Sequence, residues 1–278
     1  MNVEALTQAV SGIKDKGLKA NAEALISRMT ETISGIGDRD MQWRPSTLKL
    51  VQSMSDSSKL PDGAKAGSMV LGNTLLENGV SVIPLRVWDS RLMWHPDTDR
   101  DEIICQSPDA KQGFKYGNCK DCENGKWIEG EGVRCNKTKN FICVTSDLTD
   151  VFVVNFSKSR YAMGMDWEKR MRGMKTHPYR HMYSLEAGPH PKYKKVFSIT
   201  ANVMSDDVPA DALPFLEALF NRISDDREES VRRFYESLQN RQNSPQLEDK
   251  SNGDRRLEVT DVTDQAIEGD DDGRTYTM

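Results

Sequence analysis

The chain lacks most of the features that make a sequence easy to read. Nowhere in its 278 residues do about 18 or more apolar residues run together, so no membrane-crossing helix is expected. The opening Met1-Asn2-Val3-Glu4 has neither the basic start nor the apolar stretch of a secretory signal, which predicts a cytoplasmic chain. GxxxxGK followed by Ser or Thr, GxGxxG, HExxH and GxSxG are absent from suitable settings. Asp97, Asp99 and Asp101 read as an exposed turn, because the glycine and terminal glutamate of a calcium loop are missing. No residue set supports catalysis, and a non-enzymatic protein is expected. Cysteines number five, an odd count that fits poorly with a full disulfide framework.

Charge is present but unevenly spread. The net charge of −5 comes from 38 bases and 43 acids. Residues 247–278 hold ten of those acids and four of the bases; without them 34 bases face 33 acids, a body of about +1. Beyond Arg241 the text is Asn-Ser-Pro-Gln and then this acidic, aromatic-poor tail, expected over 244–278 to be disordered.

Periodicity divides the rest. Residues 1–60 read as a helical segment: Leu6, Val10, Ile13 and then Leu18, Ala22, Leu25, Met29, Ile33 recur at helical spacing, as one helix or as two separated near Gly12 and Gly17. A further helical stretch is expected after Arg44-Pro45-Ser46-Thr47, with Leu48, Val51 and Met54 on one face. Asp62-Gly63 marks a turn. Residues 66–205 then show short β-rich runs: 67–72, Val80–Trp88, Arg91–Trp94, Phe141–Thr145, Val151–Phe156 and Val196–Val203, with a turn signal at Glu77-Asn78-Gly79. Such strands around an inserted loop predict a small barrel. Residues 209–243 return to helix, with Leu213, Leu216, Phe220, Ile223 and Val231, Phe234, Leu238 aligned and Asp225 or Asp226 as a possible cap of a second segment.

Four cysteines are spaced Cys105-x13-Cys119-x2-Cys122-x12-Cys135. A CxxC turn brings two thiolates to adjacent corners of a tetrahedron, and flanking strands can supply the other two. Residues 105–135 are polar, glycine-rich and short of aliphatics, as a loop folded by a metal should be. Four thiolates leave no open position, so this Zn2+ would be structural. Separate buried or redox thiols are the alternative; a thioredoxin-like pair would need a βαβ setting, which Cys119 lacks. Cys143 sits mid-strand, as a buried residue or a reserve ligand.

Lys158 to Lys195 holds ten bases against three acids, a local +7, interleaved with Tyr161, Trp167, Tyr179, Tyr183 and Tyr193. Cations that track phosphates beside aromatic faces that stack bases suit single-stranded nucleic acid. The candidate contacts are Lys158, Arg160, Tyr161, Trp167, Lys169, Arg170, Arg172, Lys175, Tyr179, Arg180 and Tyr183, extended by Trp88, Arg91 and Trp94 on adjoining strands. The competing reading makes Trp167, Met163, Arg170 and Met171 part of an ordinary helix with bases on its solvated side. His177 and His181, four apart with Pro178 between, read as surface histidines.

Cys105-Gln-Ser-Pro-Asp109, Gly113, Tyr116-Gly-Asn-Cys119-Lys-Asp-Cys122 and Cys135 followed by Phe141 resemble a zinc-containing module of bacteriophage proteins. That family is regarded as binding single-stranded DNA on an oligonucleotide-binding (OB) barrel. The likeness covers about residues 66–200 and implies Cys105, Cys119, Cys122 and Cys135 as ligands, an α+β fold with an OB-like barrel, and the host-cell cytoplasm as location. The tail is similar to those of phage and bacterial single-stranded DNA-binding proteins, which implies partners in replication, recombination or repair. The second expectation is a zinc-stabilised interaction protein, such as a transcription co-regulator that contacts RNA polymerase through its terminal helices.

Overall fold

The structure is a computed structural model that describes residues 3–30, 45–55, 57–76, 79–96, 102–129, 132–193 and 195–243. The expected turns at Glu77-Asn78 and at Asp97, Asp99 and Asp101, and the acidic tail, lie outside these residues. The chain is a mixed α+β protein built on one curled, half-barrel sheet. Among the described residues, no helix is long and apolar enough to cross a membrane.

The N-terminal repeat of apolar residues folds as two helices, α1 (Val3–Val10) and α2 (Lys16–Thr30). Asp15 divides them, its carboxylate accepting the Leu18 N–H at 2.8 Å as an N-cap. The stretch expected to be helical after Pro45 is instead strand β1 (Ser46–Leu50). Leu48 and Leu50 are buried while Lys49 between them is not, an alternation that five residues are too few to separate from helical spacing. β1 lies parallel to β9 (Val151–Ser157) and antiparallel to β2 (Met69–Leu71), and this pairing decides its conformation. β3 (Thr74–Leu76) completes that edge.

The runs at Val80–Trp88 and Arg91–Trp94 form one strand, β4 (Val80–Trp94). It bulges between Pro84 and Arg86, where proline has no N–H to give the ladder. β4 pairs with β8 (Asn136–Thr145), β10 (His181–Pro189) and β5 (Ile103–Ser107); β8 pairs with β9, and β10 with β11 (Phe197–Asp207). The Gln52 side chain holds both the N–H (2.9 Å) and the C=O (3.2 Å) of Phe197, which ties the exit of β1 to the start of β11.

β8 and β9 are buried on both faces, which is why they read as unbroken apolar runs. Ile142, Val144 and Val153 face a core completed by Leu6, Val10, Leu25, Phe215, Leu216 and Leu219, from α1, α2 and α4 (Leu213–Asn243). Phe141, Cys143, Phe152, Val154 and Phe156 face a second core with Val82, Tyr183, Leu185, Ile199 and Trp167 of α3 (Tyr161–Gly173). α4 runs unbroken; Asp226 lies inside it, paired with Arg222 at 2.8 Å, and caps no second helix. α3 approaches the sheet at Gly164, where a Cβ would sit 2.9 Å from Phe156 Cβ and 3.0 Å from Lys139 Cβ.

Candidate metal centre and nucleic-acid interface

Between β4 and β8 the chain makes a long excursion that contains four of the cysteines. Antiparallel pairing sets Met93 opposite Cys105 and Arg91 opposite Ser107. A two-residue ladder, β6 (Gln112–Gly113) with β7 (Gly117–Asn118), carries Cys119, whose N–H donates to the Lys111 carbonyl at 2.8 Å. The Asn118 side chain accepts from the Lys120 N–H at 2.9 Å and donates to Asp121 at 2.8 Å, turning the chain toward Cys122. Cys135 returns through its N–H to the Asn124 carbonyl at 2.7 Å.

Cys105, Cys119 and Cys135 are buried and Cys122 is half-buried; none forms a disulfide. A Cβ on Gly113 would fall 2.7 Å from Cys105 Sγ, so glycine there leaves room for that sulfur. Cys105 and Cys135 share a small apolar cluster with Met93. The Asn124 amide lies 3.9 Å from Cys122 Sγ. Burial raises the Cys119 thiol, and the nearby Cys105 and Cys122 add to this against the hydrogen bond from Ser107 and the charge of Arg91. Burial likewise pushes Cys135 up to about 11. Without a cation these groups are neutral thiols.

Among the described residues, no three His, Cys, Asp or Glu side chains stand together at metal-holding spacing. The thiols nevertheless lie within electrostatic reach of one another, Cys119 of Cys105 and Cys122, and Cys135 of Cys105 and Cys119. This soft, all-sulfur donor set fits Zn2+, which binds thiolates and so reverses the cost of ionising them. Cys143 is separate: it is fully buried in the second core, and burial alone raises its thiol. His177 stacks on Tyr179 at 5.1 Å and the His181 ring is 2.6 Å from the Thr176 hydroxyl, so the two serve different contacts.

The basic and aromatic segment folds as α3, a short turn and β10, and this changes the roles of its aromatics. Trp167 is 1% exposed; it stacks on Phe141 at 4.1 Å and meets Phe156 and Tyr183 edge-on. Tyr179 and Tyr183 are equally buried. These three are core residues and cannot receive a base; Trp167 and Met171, four apart, are the apolar stripe of a helix whose bases face outward. Tyr161 is half-buried, its hydroxyl donating to Asp89 at 3.1 Å and its ring covered by the Lys137 amine at 5.1 Å. Arg172 pairs with Glu168 at 2.6 Å. Lys158, Lys169, Arg170, Lys175 and Arg180 are exposed, and Arg160 is half-buried. On β4, Trp88 lies under the Arg227 guanidinium at 5.0 Å, and Arg91 points into the cysteine loop, where a Cβ on Gly125 would collide with its Nη1. Of the six aromatics marked as contacts, only Trp94 presents an exposed ring.

The exposed aromatics of the described residues are Trp94 (38%), Tyr116 (43%), Trp127 (77%) and Tyr193 (50%). Trp94 ends β4, Tyr116 and Trp127 lie in the cysteine excursion, and Tyr193 lies in the loop between β10 and β11. Trp127 escaped the reading of the sequence, although a tryptophan in a segment short of aliphatics has little core to join. Exposed lysines accompany these rings: Lys111, Lys115, Lys120 and Lys126 on the excursion, Lys192 and Lys195 beside Tyr193. His190 shapes that second loop: its Nδ1 accepts the Lys192 N–H at 3.1 Å, so Nε2 carries the proton and donates to the Ser159 carbonyl at 3.2 Å.

Two further contacts hold the region. Lys139, buried on β8, reaches Asp89 at 2.8 Å and Glu168 of α3 at 2.6 Å. Burial opposes ionisation of both acids, but the hydrogen bonds and charges of Lys139, joined by Lys137 at Asp89 and Arg172 at Glu168, together hold them below the usual carboxylate range. On the other face the Tyr235 hydroxyl of α4 donates to both Asp109 carboxylate oxygens, at 2.8 and 2.9 Å, and Arg227 donates to the Pro108 carbonyl. α4 thus grips the base of the cysteine excursion.

No protein family, curated protein or solved structure matches the chain.

Proposed function

We propose that this chain binds single-stranded DNA with little sequence preference, on an OB-like barrel whose longest loop is braced by Zn2+ at Cys105, Cys119, Cys122 and Cys135. The connectivity supports the barrel. β4 is flanked by β8 and β10, β9 lies beyond β8 and β11 beyond β10, and α3 joins β9 to β10. In an OB fold this is the order of five strands, with a helix between the third and fourth. The nucleic-acid surface of such barrels includes the loop between strands one and two and the loop between strands four and five. Here those are the cysteine excursion and the loop 190–196.

The observation that carries the proposal is that, among the described residues, the four exposed aromatics fall on these two loops or at the mouth of the first. A solvent-exposed indole or phenol beside lysines has the chemistry of a stacking platform that follows a phosphate backbone, and each stacked base contributes about 1–3 kcal/mol. The exposed bases of α3 are an electrostatic supplement, not the stacking surface. The metal shapes the loop and performs no chemistry. α4 grips that loop and leads into the acidic tail, which is thereby suited to compete for the basic surface or to recruit replication, recombination or repair proteins.

Titration with oligo-dT, followed by tryptophan quenching, tests this. Affinity should fall with salt at a log–log slope of about −0.7 per phosphate neutralised, and removal of 247–278 should tighten it. A salt-independent affinity, or none, refutes the proposal. Unchanged DNA binding with a lost protein partner after truncation would favour the interaction-protein reading.

A further inference from the structure

Arg91 is not needed where a stacking platform would use it. After the bulge in β4, Val87 and Asp89 share a face with Arg91 and Met93, and the β4–β5 register carries that face onto Cys105 and Ser107. The guanidinium enters the excursion and lies against Gly125 so closely that any side chain there would strike it. Its charge reaches both Cys135 and Cys119.

We propose that Arg91 is the counter-charge of the four-thiolate centre, a positioning residue that touches no metal but sets how tightly the loop holds it. The inference rests on the zinc reading above. Four thiolates around a dication leave a net charge of −2 in a pocket where three of the sulfurs are buried. Uncompensated charge in such surroundings is costly, and a fixed cation a few ångströms away offsets it. Arginine suits the task better than lysine, because its planar fork presents several donors at once and can serve two sulfurs. The Asn124 amide beside Cys122 supplies a weaker donor of the same kind. Gly125 has its own role: it keeps open the space the guanidinium occupies.

The test uses the full chain prepared with zinc, with Zn2+ affinity measured by chelator competition and the thiolate charge-transfer bands read after Co2+ substitution. Wild type should hold one metal per chain. Arg91→Gln should weaken metal affinity by about 10- to 100-fold, the range seen when outer partners of metal ligands are removed. Arg91→Lys should recover part of the loss, because the charge remains while the fork is lost. Gly125→Ala should resemble Arg91→Gln although the arginine is still present. If wild type holds zinc and Arg91→Gln and Gly125→Ala hold it equally well, the role of Arg91 is overturned while the centre stands. If wild type holds no metal, the centre itself falls, and this inference with it.

Discussion

Trp167→Ala should unfold the protein far more readily without removing its stacking surface. The indole is 1% exposed, stacked on Phe141 at 4.1 Å and edge-on to Phe156 and Tyr183. Truncating a tryptophan so enclosed typically costs about 3–5 kcal/mol, because the lost transfer energy is joined by a cavity that the sheet cannot close. Against a total stability of about 5–15 kcal/mol, this loss is large. For a chain of this size it corresponds to a fall in Tm of about 10 °C. Trp167→Phe supplies the control. The indole N–H is buried with no hydrogen-bond partner among the described residues, so its removal costs nothing on the polar side. The phenylalanine variant should therefore lose less than the alanine variant. Urea unfolding followed by circular dichroism gives both stabilities, and oligo-dT titration of the folded protein gives the affinity. A Trp167→Ala variant with a normal urea midpoint and weakened DNA binding would refute the assignment of this residue to the core.

Other outcomes follow from the same contacts. Trp127→Ala should weaken oligo-dT binding by about 5- to 150-fold, the equivalent of one lost stack, with an unchanged urea midpoint. Asp89 and Glu168 titrate below their unfolded values, so their contribution is present above about pH 4 and is lost as pH falls through the folded values. Lys139, held above its ordinary value by the same two acids against the opposing effect of burial, contributes until pH rises through its folded pKa. In Lys139→Met Asp89 keeps Lys137 and Glu168 keeps Arg172, so urea midpoints should fall less on acidification than those of wild type. Tyr235→Phe deletes a hydrogen bond to a carboxylate, worth about 1.5–3 kcal/mol. It should speed proteolysis within the cysteine excursion while the two main cores persist.

How much of this was legible in the sequence depended on whether the signal was local. The Cys119-x2-Cys122 pair and its flanking cysteines mark a loop that cannot fold on aliphatics; the fold buries three of the four, but among the described residues they do not gather at metal-holding spacing. β8 and β9 announce themselves because both faces are apolar. β1 does not: Leu48, Val51 and Met54 imitate a helical face, and only pairing with β9 and β2 decides otherwise. The segment from Lys158 to Lys195 misled for a related reason. Helix α3 puts its aromatics inward and its bases outward, while a linear reading mixes them into one cationic groove. Which aromatics remain exposed depends on tertiary packing, and so Trp127, and the exposure of Tyr193, emerge only from the fold.

Photocrosslinking to oligonucleotides bearing 5-bromouracil tests the central claim most directly, because adducts form where a base lies on an aromatic ring. Adducts should map to Trp94, Tyr116, Trp127 and Tyr193. Crosslinks confined to α4, or none at a saturating oligonucleotide concentration, would contradict the account.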